Sequence, residues 1–252
     1  MIQLFKKIRQ ELLVNQKIGK YLLYAIGEVL LVVVGILIAI AFNNRNEETK
    51  IGLQLETYRK SLVEELNQDI DNLKNLKNSI SQKKKSIYNY VDYYNTNKPK
   101  TVVLTQKMDS INWSKSAFYT NTYTIEDLIT TGGLALFPKD QKKAILRLKN
   151  LQERYFSYET QTIENIALYD LELKKNTDLL FFNGYSHKQH QSVRSWKNNP
   201  DSYQFRILNN TFAESLKLYD FQEELYTKLI TETQLLLHTI KSSENLDSKL
   251  KN

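Results

Sequence analysis

The chain has 252 residues, a net charge of +7 and no cysteine, which excludes disulfide bonds, thiolate metal sites and a cysteine nucleophile. Only seven glycines and three prolines occur, although 41% of the residues are hydrophobic. Sheets and barrels need many turn residues, so this composition predicts an all-α fold of long helices around one core.

The first twenty residues form a basic segment. They carry five cations against one carboxylate and so supply +4 of the net charge: Lys6, Lys7, Arg9, Lys17 and Lys20. Within residues 2–13 the apolar residues fall near one face of a helix, a pattern typical of helices that lie in the lipid headgroup layer. We therefore predict that residues 1–20 are a cytoplasmic amphipathic segment whose cations contact anionic lipid.

Residues 21–42, YLLYAIGEVLLVVVGILIAIAF, contain a single charged residue, Glu28. At about 1.5 Å per residue this helix would be about 33 Å long, enough for a hydrocarbon core of about 30 Å. Five cations precede it, whereas Arg45 and Lys50 beyond it are mixed with acidic residues, so the positive-inside rule predicts a cytoplasmic N-terminus. The chain is then a single-pass protein of the bacterial inner membrane with a periplasmic C-terminal domain. The alternative is a signal peptide cleaved after Ala41; the length of the apolar run and its late start favour a retained signal anchor.

One face of this predicted membrane helix differs from the others. Residues seven apart return to nearly the same face, which places Tyr24, Glu28, Gly35 and Ala39 in one stripe. Two interpretations remain open. Either Glu28 extends to the cytoplasmic headgroups, or the stripe packs against another membrane helix, from a second copy or from a partner protein.

The segment FKKIRQELLVNQKIGKYLLYAIGEVLLVVVGILIAIAFNNRNE closely resembles a large family of uncharacterised bacterial membrane proteins, classed as a domain of unknown function. The shared features are a KYLLYAIGE start, a VVGILIA span and an NN-x-NE exit, here Asn43, Asn44, Asn46 and Glu47. Arg45 stands where family members often carry Trp. A weaker similarity to the same family covers Tyr123–Tyr155. The resemblance implies a retained membrane helix and implies no activity.

Beyond the membrane, residues 43–241 are predicted to form one extracytoplasmic helical domain and residues 242–252 a polar tail. Residues 44–96 are predicted as one helix with a seven-residue apolar series: Leu66, Leu73, Ile80, Ile87 and Tyr94. The companion series, which starts at Leu62, is interrupted by Asp69 and Lys83. An interrupted period favours coiled-coil-like packing in an antiparallel bundle within the chain over a free-standing dimer.

The remaining elements follow in order. Residues 102–120 have no clear period, and Val102–Leu104 fits an extended segment. A short helix is predicted over Thr124–Thr130, with Thr124 and Asp127 as a capping pair and Gly132-Gly133 as its left-handed end. Long helices are predicted from Pro138 to about Asn183 and from Tyr203 to Ile240.

Candidate chemistry is sparse. No hydrolase, zinc-protease or dinucleotide motif occurs, which predicts no enzyme and no cofactor. His187 and His190 form H-x-x-H without a nearby carboxylate, which does not predict a metal site, and His238 is expected on a helix surface or in the core. Lys83–Lys85 is the only local basic run in the predicted domain and fits a solvated helix face, so no nucleic-acid partner is predicted. The adjacent carboxylates Glu64-Glu65 and Glu223-Glu224 point to different faces of a helix and also fit solvated faces. The aromatic residues Tyr155, Phe156, Tyr158 and Tyr169 fit core packing, with stacking on a ligand as the alternative.

These features predict a membrane-anchored interaction or assembly protein of the bacterial envelope, whose partners are the bilayer and either its own copy or another membrane protein. The alternative is an extracytoplasmic domain that binds a small molecule and signals through a separate partner. A pocket lined by convergent polar groups would favour the second hypothesis. An exposed apolar patch would favour the first.

Overall fold

The computed structural model describes residues 18–112, 114–182, 184–188 and 190–250. This part of the chain is all-α and contains no strand, as the shortage of turn residues predicts. The chain divides into two units, Met1–Thr57 and Tyr58–Asn252. The predicted cytoplasmic cations Lys6, Lys7, Arg9 and Lys17 lie outside the described residues, as do the side chains of Lys20 and Tyr24.

The described part of the first unit belongs to helix α1, Ile18–Tyr94, which continues into the second unit. No proline interrupts residues 18–94. The described Leu, Ile and Val side chains between Leu22 and Ile40 are all exposed. Within the described residues, one helix near the N-terminus is long and apolar enough to cross a membrane. A helix that is apolar on every side and uncovered by protein is typical of a membrane span.

In the described part of the second unit, the end of α1 is followed by six further α-helices. They are α2 (Thr101–Asp109), α3 (Tyr123–Thr130), α4 (Lys139–Lys175), α5 (Leu179–Phe182), α6 (Gln191–Lys197) and α7 (Tyr203–Leu250), with a 3₁₀ turn at Gly133–Leu136.

The core of this unit lies between the three long helices. On α1, the seven-residue series from Leu66 to Ile87 is buried, and Tyr94 at its end is exposed. Helix α4 packs against α7. Helix α7 also contacts α1 in reverse order: Lys77 Nζ donates to Thr227 Oγ1 at 2.8 Å, and Tyr90 OH donates to Asn209 Oδ1 at 2.7 Å. Helix α7 therefore runs antiparallel to this part of α1.

Three predictions of helix extent are wrong. Val102–Leu104 belong to a helix, Thr101–Asp109, rather than to an extended segment, because Leu104 and Met108, four residues apart, are both buried on one face. The helix that starts after Pro138 ends at Lys175, well before Asn183. Polar residues 176–178 end it by competing for backbone groups, and the Asp178 carboxylate then accepts from the Phe181 amide at 3.3 Å, at the start of α5.

At the C-terminal end, α7 continues to Leu250 rather than stopping at Ile240. Residues 242–250 contain neither glycine nor proline, so nothing in their sequence ends the helix.

The predicted left-handed end of α3 is confirmed. Gly132 has φ +77°, a conformation that glycine adopts without a steric cost. At Gly133 the space for a side chain is tight instead, because a Cβ there would lie 3.1 Å from Leu128 Cδ2 and 3.2 Å from Tyr58 Cε2.

Candidate ligand pocket

A segment without regular secondary structure, residues 111–122, crosses the second unit; we call it the strap. Trp113 within it lies outside the described residues. Ile111 and Phe118 are buried, so this backbone lies partly away from water. Buried backbone groups need hydrogen-bond partners, and a strap without helix or sheet must take them from side chains.

Helix α1 supplies the first partner, Lys83. Its Nζ donates to Ser114 O at 2.6 Å and to Ser116 Oγ at 2.8 Å. Lys83 is 4% exposed, and burial lowers the pKa of its ammonium group. The prediction that Lys83–Lys85 form a solvated face is therefore wrong at Lys83, although Lys85 is exposed.

Asp69, also on α1, is 1% exposed and holds the next part of the strap. Its two carboxylate oxygens accept from Thr120 Oγ1 and from the Asn121 amide, each at 2.7 Å. Burial raises the pKa of Asp69, and these hydrogen bonds partly oppose the rise by favouring the charged form. Thr120 Oγ1 also contacts Thr122 Oγ1. Gln152 of α4 donates to both hydroxyls, at 3.1 and 3.2 Å.

The centre of the strap rests on Glu159 of α4, which is 3% exposed. Its Oε1 accepts from Gln222 Nε2 and from Tyr226 OH, both at 2.5 Å, and its Oε2 accepts from the Phe118 amide at 3.3 Å. Gln222 Nε2 also donates to Ser116 O at 2.8 Å. Burial, together with the hydrogen bond to Glu159, raises the pKa of Tyr226, so its hydroxyl stays a donor.

The sequence carried a signal for these residues that the prediction missed. On α4, Ile145, Gln152, Glu159 and Ile166 recur every seven residues, and all four are buried. Asp69 and Lys83 hold equivalent positions in the companion series of α1. Polar residues at core positions of a helix bury only where hydrogen-bond partners meet them, so these positions point to a partner inside the core.

Helix α3 begins where the strap ends, and its first turn is capped from another helix. Glu65 of α1 accepts from the Thr124 amide at 3.0 Å and from Thr124 Oγ1 at 2.8 Å. The predicted capping pair Thr124 and Asp127 is therefore wrong, because the acceptor comes from α1. Glu65 also departs from the predicted solvated pair, while Glu64 is exposed.

Beside the strap lies a pocket of about 520 Å³ between α4, α7 and the start of α3. This volume is within the range of small-molecule sites. We call it the strap pocket. Its lining is Phe118, Tyr119, Thr120, Tyr123, Lys149, Gln152, Glu153, Tyr155, Phe156, Glu159, Leu225, Tyr226 and Leu229. Apolar and aromatic side chains dominate, and the buried carboxylate of Glu159 is part of the wall.

Aromatic rings form the rim of the strap pocket. Phe156 is 54% exposed and Tyr119 is 71% exposed, with ring centroids 6.4 Å apart. The prediction of core packing is therefore wrong for Phe156, and also for Tyr158, which is exposed elsewhere on α4. Tyr155 and Tyr169 are half-buried. Periodicity does not separate an aromatic residue in a core from one at the mouth of a pocket.

The charged residues around the pocket differ in whether they have a partner of opposite charge. Lys149 Nζ lies 2.6 Å from Glu126 Oε2 and 3.5 Å from Glu153 Oε1, and the hydrogen bond to Glu126 raises the pKa of Lys149. The positive charge is therefore engaged by two carboxylates. Glu159 has only neutral donors among the described residues.

The predicted membrane stripe lies in the first unit. Gly35 and Ala39 are exposed, and a Cβ at Gly35 would meet no atom within 4 Å apart from its chain neighbours and the nearby backbone of its own helix. Glu28 is half-buried, and the side chain of Tyr24 lies outside the described residues. These residues do not join the strap pocket, because every residue that lines it belongs to the second unit.

The histidines are dispersed. His187, His190 and His238 are exposed, and the His190 amide donates to Asp178 Oδ2 at 3.2 Å. Among the described residues, no three His, Asp or Glu side chains are grouped as metal ligands.

Comparisons of the chain with known protein families, with curated proteins and with solved structures find no match. The resemblance of residues 4–48 to a bacterial membrane family therefore stays a prediction.

Proposed function

We propose that this chain is a single-pass protein of the bacterial inner membrane whose periplasmic helical domain binds a small molecule without transforming it. The strap pocket is the observation that carries the proposal. It combines a volume of about 520 Å³, an aromatic rim and buried polar groups in one concave site, the combination that small-molecule sites share. In this proposal the domain transmits the binding of its ligand to a separate partner protein.

The location rests on the N-terminal part of the chain. We propose that residues 21–42 are an uncleaved signal anchor with the N-terminus in the cytoplasm. Support comes from the exposed apolar side chains of the first unit, from the cations that precede the span, and from the family resemblance. The seven-residue period of α1 supports coiled-coil-like packing of the long helices into an antiparallel bundle.

The binding proposal is tested by what the protein retains. The full chain is purified from its native membranes in dodecyl maltoside, and the small molecules that it releases on heating are measured by mass spectrometry. Phe156→Ala removes a rim contact worth about 1 kcal/mol, so the affinity for the ligand falls about fivefold and less ligand is retained.

Leu168→Ala is the matched control, because Leu168 is an exposed apolar residue of the same helix outside the strap pocket. This variant retains the ligand. Identical released molecules from the wild type and Phe156→Ala, at equal amounts, contradict the proposal.

Assembly through the membrane helix is the second candidate. It is favoured by the exposed face around Gly35, where a Cβ would contact only its chain neighbours and the nearby backbone of its own helix. Small residues such as Gly35 and Ala39 allow two membrane helices to approach closely.

Disulfide crosslinking tests this candidate cleanly, since the chain has no native cysteine. If the stripe forms an interface between copies, oxidation of membranes links Ala39→Cys into dimers, and Ile38→Cys, one residue away on another face, crosslinks far less. Adding Glu28→Leu and Gly35→Leu weakens the Ala39→Cys dimer. Equal crosslinking at both positions, or a dimer insensitive to the added changes, rejects the stripe as an interface between copies.

A further inference from the structure

We propose that the ligand of the strap pocket is a small organic ammonium ion. The proposal rests on the proposed function and names the chemical class of its ligand. In it, the ammonium group binds the carboxylate of Glu159, and the apolar part of the ligand contacts Phe156 and Tyr119 at the rim.

Glu159 supplies the charge. It lines the pocket, is almost wholly buried, and forms no ion pair with any described residue. A buried carboxylate is stabilised by donors or by a cation, and here the protein provides neutral donors alone. A cationic ligand would complete the set.

The hydrogen bonds of Glu159 leave room for that ligand on one oxygen. Oε1 already accepts two bonds at 2.5 Å, from Gln222 and Tyr226. Oε2 accepts one long bond, 3.3 Å from the Phe118 amide. A carboxylate oxygen has two lone pairs, so Oε2 is the atom to which an ammonium hydrogen would bind.

The aromatic rim suits the same class of ligand. Aromatic rings pack well against the apolar body of an organic amine whose ammonium group lies deeper, at Glu159. Tyr119 and Phe156 form a ring pair that is open to solvent, as an entering ligand requires.

The other charged residues around the pocket disfavour anionic and neutral ligands. Lys149 is already paired with Glu126 and Glu153, so it offers little to an anion. An anionic ligand would also meet the carboxylates of Glu153 and Glu159 in the wall. A neutral ligand would leave the charge of Glu159 without a counterion.

Two probes of nearly equal shape test the proposal: 2-phenylethylammonium and 2-phenylethanol. Each is titrated calorimetrically at neutral pH into the full chain in dodecyl maltoside, with empty micelles as the blank. The ammonium probe binds at least about tenfold more tightly than the alcohol, because both probes can donate a hydrogen bond to Glu159 but only the ammonium also neutralises the charge of its carboxylate. This comparison needs no variant and so does not depend on any substituted protein folding.

Variants then locate the effect. Glu159→Gln lowers affinity for the ammonium probe about tenfold and leaves the alcohol within about twofold. Glu164→Gln, an exposed glutamate of the same helix outside the pocket, changes neither affinity. Phe156→Ala weakens both probes. Circular dichroism confirms that each variant is folded.

The failures are distinguishable. Equal binding of the two probes, with Phe156→Ala weakening both, overturns the ammonium proposal and leaves small-molecule binding standing. Unchanged ammonium affinity in folded Glu159→Gln also overturns it. Binding of neither probe overturns it too, and the molecules released by the purified protein then decide the proposed function on their own.

Discussion

Adjacent acidic residues on α1 have different environments. Glu64 and Glu65 look alike in the sequence, but Glu64 is exposed and Glu65 accepts two hydrogen bonds from Thr124. The first amides of a helix have no acceptor within it, and a negative charge there is favourable. Glu65 therefore joins α1 to the start of α3, at the end of the strap.

This pair gives a matched test at the residue scale. Glu65→Ala lowers the free energy of unfolding by about 1–2 kcal/mol, because the first turn of α3 loses its cap. Glu64→Ala changes it by less than about 0.5 kcal/mol, as expected for an exposed residue. Both are measured by urea unfolding of the full chain in detergent, followed by circular dichroism. Equal effects of the two substitutions would show that the contact of Glu65 with Thr124 contributes no stability.

At the scale of the element, the strap explains why polar residues interrupt the apolar series of the long helices. Each interruption lies against a strap group: Lys83 at Ser114, Gln222 at Ser116, Glu159 at Phe118, Asp69 at Thr120, and Gln152 at Thr120 and Thr122. The irregular backbone has no neighbouring strand, so side chains of three helices satisfy it. The same requirement places a carboxylate in the wall of the strap pocket.

Three neighbouring lysines on α1 differ in whether they contact the strap. Lys83 points to the strap and is buried, and its pKa is lowered by that burial. Lys84 pairs with Asp220 and Glu223, at 2.6 and 2.8 Å, and those hydrogen bonds raise its pKa. Lys85 is exposed. Successive helical residues face directions about 100° apart, so three like residues meet three environments.

At the scale of the whole molecule, two units of different character share one chain. The first exposes an apolar helix, and the second has a buried apolar core between its three long helices. An exposed helix of this composition is unfavourable in water, since burying apolar surface yields roughly 25 cal/mol per Å². The proposed membrane location would remove that cost.

Cysteine labelling tests the proposed orientation, again with no native cysteine to interfere. In intact spheroplasts a membrane-impermeant maleimide labels Lys85→Cys, and it labels Gln3→Cys only after lysis. Labelling in the opposite order reverses the topology. Mature protein that begins at Phe42, and therefore lacks position 3, shows that the anchor is cleaved.

Much of the fold follows from the sequence. The scarcity of glycine and proline determines an all-α chain, because few residues are available to end helices. The run from Leu22 to Ile40 determines an apolar helix, since Glu28 is its single charged residue. The series from Leu66 to Ile87 determines the buried face of α1. These features depend on residues close together in the chain, so local pattern is sufficient for them.

The strap pocket depends on contacts between residues far apart in the chain. Periodicity placed Asp69 and Glu159 on core faces, but whether a polar residue there is buried depends on what crosses that face. For Glu159 the partners are Phe118 and Tyr226, from the strap and from α7. The exposure of Phe156 is likewise set by where the strap runs. Tertiary structure alone decides these points, because hydrogen-bond satisfaction in a core is a property of the assembled elements.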